Sequence, residues 1–437
     1  MKHLRKLSIL LLCCLLLSGC LSRKTDAPLP DAQDGSADAP LVTVPEQTPP
    51  AAPEPEPPAP PAPPEPTVSH IVFAGDIIGH MTILYDASGG KTEQFDFTNM
   101  YADVTGQLKG ADYAVANLES PLGGGPYSGY PHFNAPDALA GGAVEAGIDL
   151  FSTANNHTRD SGVKAILRTL DALDELGVSH VGTYRSQEER DENHGVLVAD
   201  VGGVSVAFLC YTYGLNGYSI PSDQHYLVNL FNLDYTTTLS TPDYALLESD
   251  FAYARSLDAD LIAVLIHWGS EYQNKPNGYQ TRMAEFLVSQ GADIVIGNHP
   301  HVLQPYTTVK ATGYDGAERE GFVAYSLGNF ISNQPELEQK TTAVLDLELT
   351  RDNETQETIV SDVSYTPYYF YFLNGAPYGD KSKPWGAQRL LLDTHKAMAA
   401  YESGERSVVT DAVYEQLRLS LAHCHKILGE EGDSYLR

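Results

Sequence analysis

The sequence predicts an α/β body in which short buried strands alternate with amphipathic helices. Three observations carry this. Short β-branched apolar runs recur with helically spaced stretches between them. Hydrophobic residues make up 42% of the 437 residues and aromatics 9%, enough for a sizeable core and too much for global disorder. Polar side chains of metal-binding type follow one apolar run after another, where α/β sheets place their ligand sites.

Two segments of different character precede that body. Lys2, Arg5 and Lys6 flank an apolar run from Leu7 to Leu17, too short to span a bilayer and the right length for a signal-peptide core. The run ends in Leu17-Ser18-Gly19-Cys20, which looks like a bacterial lipobox whose cysteine is diacylated after cleavage just ahead of it. An ordinary signal peptide with an incidental cysteine is the alternative. Positive flank, apolar run and small-Gly-Cys ending agree on the lipoprotein. Residues 1–19 are therefore read as a lipoprotein signal peptide, Cys20 as the lipidation site, and the mature chain as extracytoplasmic and anchored to the bacterial cell membrane. Residues 20–67 read as a linker: residues 40–66 hold 13 prolines, and residues 25–66 hold eight acidic side chains and no basic one. Proline favours polyproline II and like charges repel, so residues 40–66 form an extended tether of roughly 80 Å.

The body spans 68–372. Strands are expected at Ile71–Ala74, Tyr113–Ala116, Leu150–Ala154, Leu261–Ile266, Ile294–Ile296 and Phe322–Tyr325. Helices are expected at Gly162–Leu176, where Leu167, Leu170 and Leu173 make a stripe, and at Tyr244–Leu257 and Tyr279–Gln290. Val196–Asp200 and Val204–Tyr211, joined through Val201-Gly202-Gly203, read as a hairpin. Alternating strands follow at Thr342–Leu349 and Thr358–Tyr371. Residues 373–437 read as a C-terminal helical extension, with a helix at Asp411–Leu428. Cys210, inside an apolar run, is expected to be a small core residue.

The chemistry lies at the run ends. Ile71–Ala74 leads into Gly75-Asp76, with His80 beyond. The next two runs lead into Asn117-Leu118-Glu119 and into Asn155-Asn156-His157 with Asp160. The last three lead into His267-Trp268-Gly269 with Glu271, Gly297-Asn298-His299-Pro300-His301, and Ser326-Leu327-Gly328-Asn329-Phe330. Gathered at one sheet edge, such carboxylates repel one another, and a divalent cation removes that cost. Imidazoles complete a mixed oxygen and nitrogen set suited to Mn, Fe or Zn, so the constellation reads as a site for one cation or two. Glu271 and Asp160 are placed to orient a histidine rather than to bind metal. Taken singly each piece has a plainer reading: Asn155 and Asn156 as turn or cap residues, Gly75-Asp76 as a tight turn, His267 as a satisfied core histidine. His3, His70, His132, His180, His194, His225, His395, His423 and His425 lack a strand-end context and read as structural or surface residues.

Charge narrows the partners. Against 57 acidic residues stand 27 Lys and Arg, a formal charge of −30, which argues against nucleic acid and against anionic lipid surfaces. An anionic substrate needs a local positive centre.

The ordered motif set, over residues 68 to 372, resembles the CapA/PgsA capsule-synthesis proteins, a family named for poly-γ-glutamate capsule formation within the calcineurin-like metallophosphatase superfamily. The resemblance implies a metallophosphatase-like four-layer α/β/β/α sandwich with two divalent metals at the strand ends. It casts Asp76 and His80 as ligands of one metal, Glu119 as the bridging carboxylate and Asn156 as a ligand of the second. His267, His299 and His301 become the remaining imidazole ligands, with Asn117 and Asn329 supporting them. His157, with Asp160, becomes the proton donor to the leaving group. His80 stands four residues after Asp76, where phosphatases usually present Asp-x-His. Two cations would lower the pKa of a water and polarise a phosphoester, drawing an anionic small molecule or envelope polymer to an acidic protein. Three functions compete: a surface-tethered metal-dependent hydrolase, a non-catalytic accessory lipoprotein that binds polymer or capsule-synthesis membrane proteins, and a carbohydrate binder using the tyrosines from Tyr365 to Tyr371.

Overall fold

Strand β1 (Thr67–Ile77) enters half-exposed and becomes buried on both faces from Ile71 onward, as expected of a strand covered from two sides. It belongs to a computed structural model that describes residues 64–89, 94–372 and 389–437, all within a compact unit spanning 62–437. The signal peptide, Cys20 and all but the last residues of the tether lie outside the described residues. Among the described residues no helix is long and apolar enough to cross a membrane.

After β1 come α1 (Met81–Ser88), α2 (Thr105–Gly110), β2 (Tyr113–Leu118), α3 (Ala138–Ala146), β3 (Leu150–Ser152), α4 (Val163–Leu176) and β4 (Ser179–Val181). Strands β1 to β4 run parallel in that order. Helix α4 shows how the pattern works. Ile166, Thr169, Leu170 and Leu173 lie on its buried face, and Gly177, left-handed at φ 68°, ends it by returning its N–H to Asp174.

The second sheet follows. After α5 (Gln187–Glu192), β5 (Leu197–Val201) and β6 (Val204–Thr212) form the expected hairpin. Gly202 and Gly203 both have positive φ, as a two-residue turn between twisted strands requires. Next come α6 (Tyr244–Ser256), β7 (Leu261–His267), α7 (Gly278–Gln290), β8 (Ile294–Asn298), β9 (Leu303–Thr312) and β10 (Glu318–Leu327). This six-stranded sheet has the order β5-β6-β7-β8-β10-β9.

The chain then crosses back: β11 (Asn329–Ile331) pairs with β1, and α8 (Leu337–Lys340) leads to β12 (Thr341–Arg351), antiparallel to β1. Strands β13 (Thr358–Phe372) and β14 (Arg389–Asp393) complete an eight-stranded sheet. Helices α9 (Thr394–Glu402) and α10 (Asp411–Leu428) close the chain.

Ile71, Phe73, Val115 and Leu345 of one sheet pack with Val206, Phe208, Leu265 and Ile296 of the other in one core. The outer face of the first sheet is covered by α1 to α4, that of the second by α6 and α7. The result is the four-layer arrangement that the resemblance implies. Two expectations change. Residues 389–437 of the expected helical extension are not purely helical, since β14 extends the first sheet and α9 and α10 pack on Tyr369 and Leu392; residues 373–388 lie outside the described residues. The motif-bearing strands belong to two sheets rather than to one edge. Cys210 lies buried in β6, as expected.

Candidate metal centre

The two sheets bring their carboxyl ends together, and the chain's crossing from β10 to β11 locks them. Asp76 donates its N–H to the Gly328 carbonyl at 3.0 Å. A Cβ at Gly75 would fall on that same oxygen, and one at Gly297 would fall on the Tyr325 carbonyl, so only glycine fits beside either motif.

Asp76, one residue before the end of β1, is completely buried. One oxygen accepts from Asn117 Nδ2 at 2.8 Å, and Ser152 Oγ donates to Asn117 Oδ1 at 3.0 Å, a chain of bonds across three strands. The other oxygen lies 3.3 Å from His301 Nδ1 and 3.4 Å from the His299 backbone N–H. Burial pulls Asp76 upward, but the His301 bond, the His301 and His267 charges and Asn117 outweigh it and hold the carboxyl below its ordinary range.

Glu119, just past β2, is also completely buried, and both its oxygens lack a hydrogen-bond partner among the described residues. Around Oε1 stand His267 Nε2 at 3.5 Å, His301 Nε2 at 3.9 Å and His157 Nε2 at 4.0 Å. Burial, then the charge of Asp76, pushes Glu119 well above the usual carboxylate range.

His267 ends β7 with Nε2 2.9 Å from Asn156 Oδ1, and its ring lies parallel to Tyr213. Burial pushes it down to about 3. His299 has a buried Nδ1 without a partner among the described residues, and burial drives it well below the imidazole range. Its φ of 99° is strained for a side chain with a Cβ, and His301 too is left-handed at φ 59°. Asn329 Oδ1 stands 3.1 Å from His301 Nδ1, while Asn329 Nδ2 donates to the His301 carbonyl.

His157 Nδ1 lies 2.7 Å from Asp160 Oδ2, which also accepts the Phe133 N–H at 2.8 Å. An acceptor at Nδ1 assigns the proton there and leaves Nε2 facing Glu119. Phe133 meets the His157 ring edge-on at 4.7 Å. Asn155 is a turn residue: its side chain bonds the Leu118 carbonyl and the His157 N–H.

These donors form two groups that share Glu119. Ligand atoms of Asp76, Glu119 and His267 lie within 4.8 Å of one another, as do those of Glu119, His299 and His301. Orphaned carboxylate oxygens facing several imidazole nitrogens are the arrangement a divalent cation satisfies, so the residues fit one. Two expected residues stand apart. His80 belongs to neither group; its Nδ1 accepts the Asn333 N–H at 3.2 Å and its ring packs on Phe133, while burial and then the charges of His301 and His157 push it down to about 4. Glu271 is exposed, and no hydrogen bond joins it to a histidine among the described residues. Sequence reasoning missed Ser152, Tyr213 and Asn216. Asn216 accepts from Asn156 Nδ2 at 3.1 Å and lies 3.4 Å from His157 Nδ1. Tyr213 and Asn216 follow β6, a parallel strand beside β7, so the rule that found the other motifs applies to this strand end as well.

Residues 70–334 match the family described as bacterial capsule synthesis protein PGA_cap. The chain belongs to that family. Among relatives of this PGA_cap chain, the capsule biosynthesis protein CapA of Bacillus anthracis is 31% identical over 264 residues, 59% of each chain. The PGA biosynthesis protein CapA of Bacillus subtilis is 26% identical over 268 residues, 60% of this chain and 64% of the other. The chain thus spans about three fifths of the length of these relatives. Solved structures similar to it include a phosphatase of Mycoplasma pneumoniae, with a TM-score of 0.38 and 14% identity over 69% of this chain and 94% of that one. The sulfate thiohydrolase SoxB of Thermus thermophilus gives a TM-score of 0.37 and 10% identity over 84% and 61%. Both likenesses are distant.

Proposed function

We propose that this PGA_cap chain is a phosphoesterase-like hydrolase dependent on two divalent cations. It acts in capsule or poly-γ-glutamate biosynthesis on an anionic small molecule or envelope polymer, tethered outside the cell membrane through an acylated Cys20. The observation that carries the reading is Glu119, buried without a hydrogen bond among the described residues and ringed by imidazole nitrogens of His267, His301 and His157. Cations held by Asp76, Glu119, Asn156, His267, His299 and His301 would supply Lewis-acid polarisation of a phosphoryl-type oxygen and a water of lowered pKa.

The chain's own residues do the rest. Ser152 and Asn117 fix the rotamer of Asp76, and Asn329 holds His301. Asp160 keeps one His157 proton on Nδ1 and turns Nε2 into the site, where a second proton taken up by Nε2 can pass to the leaving oxygen. Phe133 and Tyr213 wall the histidines and exclude water.

The test is hydrolysis of generic phosphodiesters by the full chain purified in detergent, with metal content measured in parallel. His157→Ala should keep its metal and lose roughly 10²- to 10⁴-fold in turnover. A second reading, an accessory protein without turnover, draws on the names of the two Bacillus relatives. Bound metal with no hydrolysis by wild type or variant, on any phosphodiester, favours it.

A further inference from the structure

His395 and His425, which read from the sequence as structural or surface residues, meet in the fold. His395 lies in the first turn of α9, His425 in the last turn of α10, and Asp433 in the closing loop. His395 Nε2 stands 2.7 Å and His425 Nε2 2.8 Å from the same oxygen, Asp433 Oδ2. The three donor atoms lie within 4.8 Å of one another. Asp433 is completely buried, whereas each imidazole keeps 19% of its side chain exposed. Its other oxygen accepts the Tyr435 N–H at 3.0 Å, and a bridge to Tyr365 pins its backbone to β13. No lysine or arginine pairs with Asp433 among the described residues; its ion-pair partners there are the two histidines.

We propose that His395, His425 and Asp433 form a second metal site, separate from the Glu119 centre, that takes one zinc-like divalent cation and clips the C-terminal loop to α9 and α10. Two imidazole nitrogens and a carboxylate oxygen are a donor set of the kind that borderline cations such as Zn²⁺ prefer, and three protein ligands leave a fourth position for water. The exposed ring edges provide an entry path, and a buried carboxylate without a cationic side chain gives an ion charge to neutralise. Zinc ligands at about 2.0–2.1 Å stand roughly 3.3 Å apart in a tetrahedron, so the rings need open by only about half an ångström. Each Nε2 now faces the Asp433 carboxylate, so any proton it holds must leave Nε2 before that nitrogen takes the metal. All three residues lie beyond the 70–334 family match, so the clip belongs to this chain's own C-terminal part.

The test loads the full chain, purified in detergent, with Zn²⁺ alone and counts zinc per chain after desalting. The double variant His395→Gln/His425→Gln should carry one zinc fewer than wild type and lose part of the zinc-dependent rise in melting temperature. It should keep the metal of the Glu119 centre. Equal zinc in wild type and variant overturns the proposal and leaves a hydrogen-bonded latch. Should the variant not fold, anomalous diffraction from wild-type crystals grown with Zn²⁺ decides: a peak between the three donor atoms supports the site, and peaks confined to the Glu119 centre overturn it. Glu119→Ala keeps the C-terminal zinc on this account, so failure here is distinct from failure of the hydrolase reading.

Discussion

A carboxylate buried with both oxygens unpartnered costs several kcal/mol unless a proton or a cation answers it. Glu119 is in that position, beside an Asp76 that its hydrogen bonds keep ionised. The hydrogen bond at His157 makes Asp160 worth testing: Asp160→Asn can donate to His157 Nδ1, which moves the ring proton to Nε2 and disfavours the doubly protonated ring from which Nε2 gives up a proton. Turnover should then fall roughly 10²- to 10⁴-fold at unchanged metal content, and turnover equal to wild type would contradict the assigned tautomer. Away from the site, burial raises Asp293 to about 6 from 3.8, although the Ile262 N–H and Arg319 pull the other way. Between those values the folded chain binds more protons than the unfolded one, so stability present below the lower value is lost as pH rises through the upper. Asp293→Asn does not titrate. Its stability relative to wild type should therefore rise by about 2 kcal/mol between about pH 4 and about pH 7 in urea melts, where a constant difference would contradict the raised value.

The elements hold these residues in register because the two sheets share one core. Phe208 of β6 stacks on Tyr113 of β2 at 5.8 Å, joining the sheets directly. Phe208→Ala should cost about 3–5 kcal/mol by urea denaturation, and a loss under about 1 kcal/mol would show that the sheets are joined elsewhere. Most elements were legible: α10 matches its expected bounds, and α4, α6, α7 and the hairpin shift by a residue or so. The misses have physical reasons. Strand β9 is polar and largely exposed beyond its first two residues, as an edge strand is, so apolar periodicity does not mark it. Strand β14 is a five-residue edge that gains its identity from pairing with β13. Which sheet a strand joins depends on long-range pairing, and the return of β11 to β1 after Gly328 leaves no local signal beyond that glycine.

Over the whole molecule, a formal charge of −30 repels the anions that the proposed reaction uses, and cations at one point reverse that field locally. The candidate site was legible where donors follow buried strands: Asp76, Glu119, Asn156, His267, His299 and His301 converge from two sheets. It was overlooked at Asn216, which follows β6 and falls under the same rule, and it was illegible where a nearby histidine turns its nitrogen to a backbone N–H, as His80 does. At the same scale, Cys20→Ala should release the protein from membranes on fractionation, and unchanged membrane association would overturn the lipid anchor. The most direct measurement is metal content by mass spectrometry of the full chain, wild type against Glu119→Ala. A loss of two ions per chain is expected, and an equal complement in both proteins would contradict a cation centre at these strand ends.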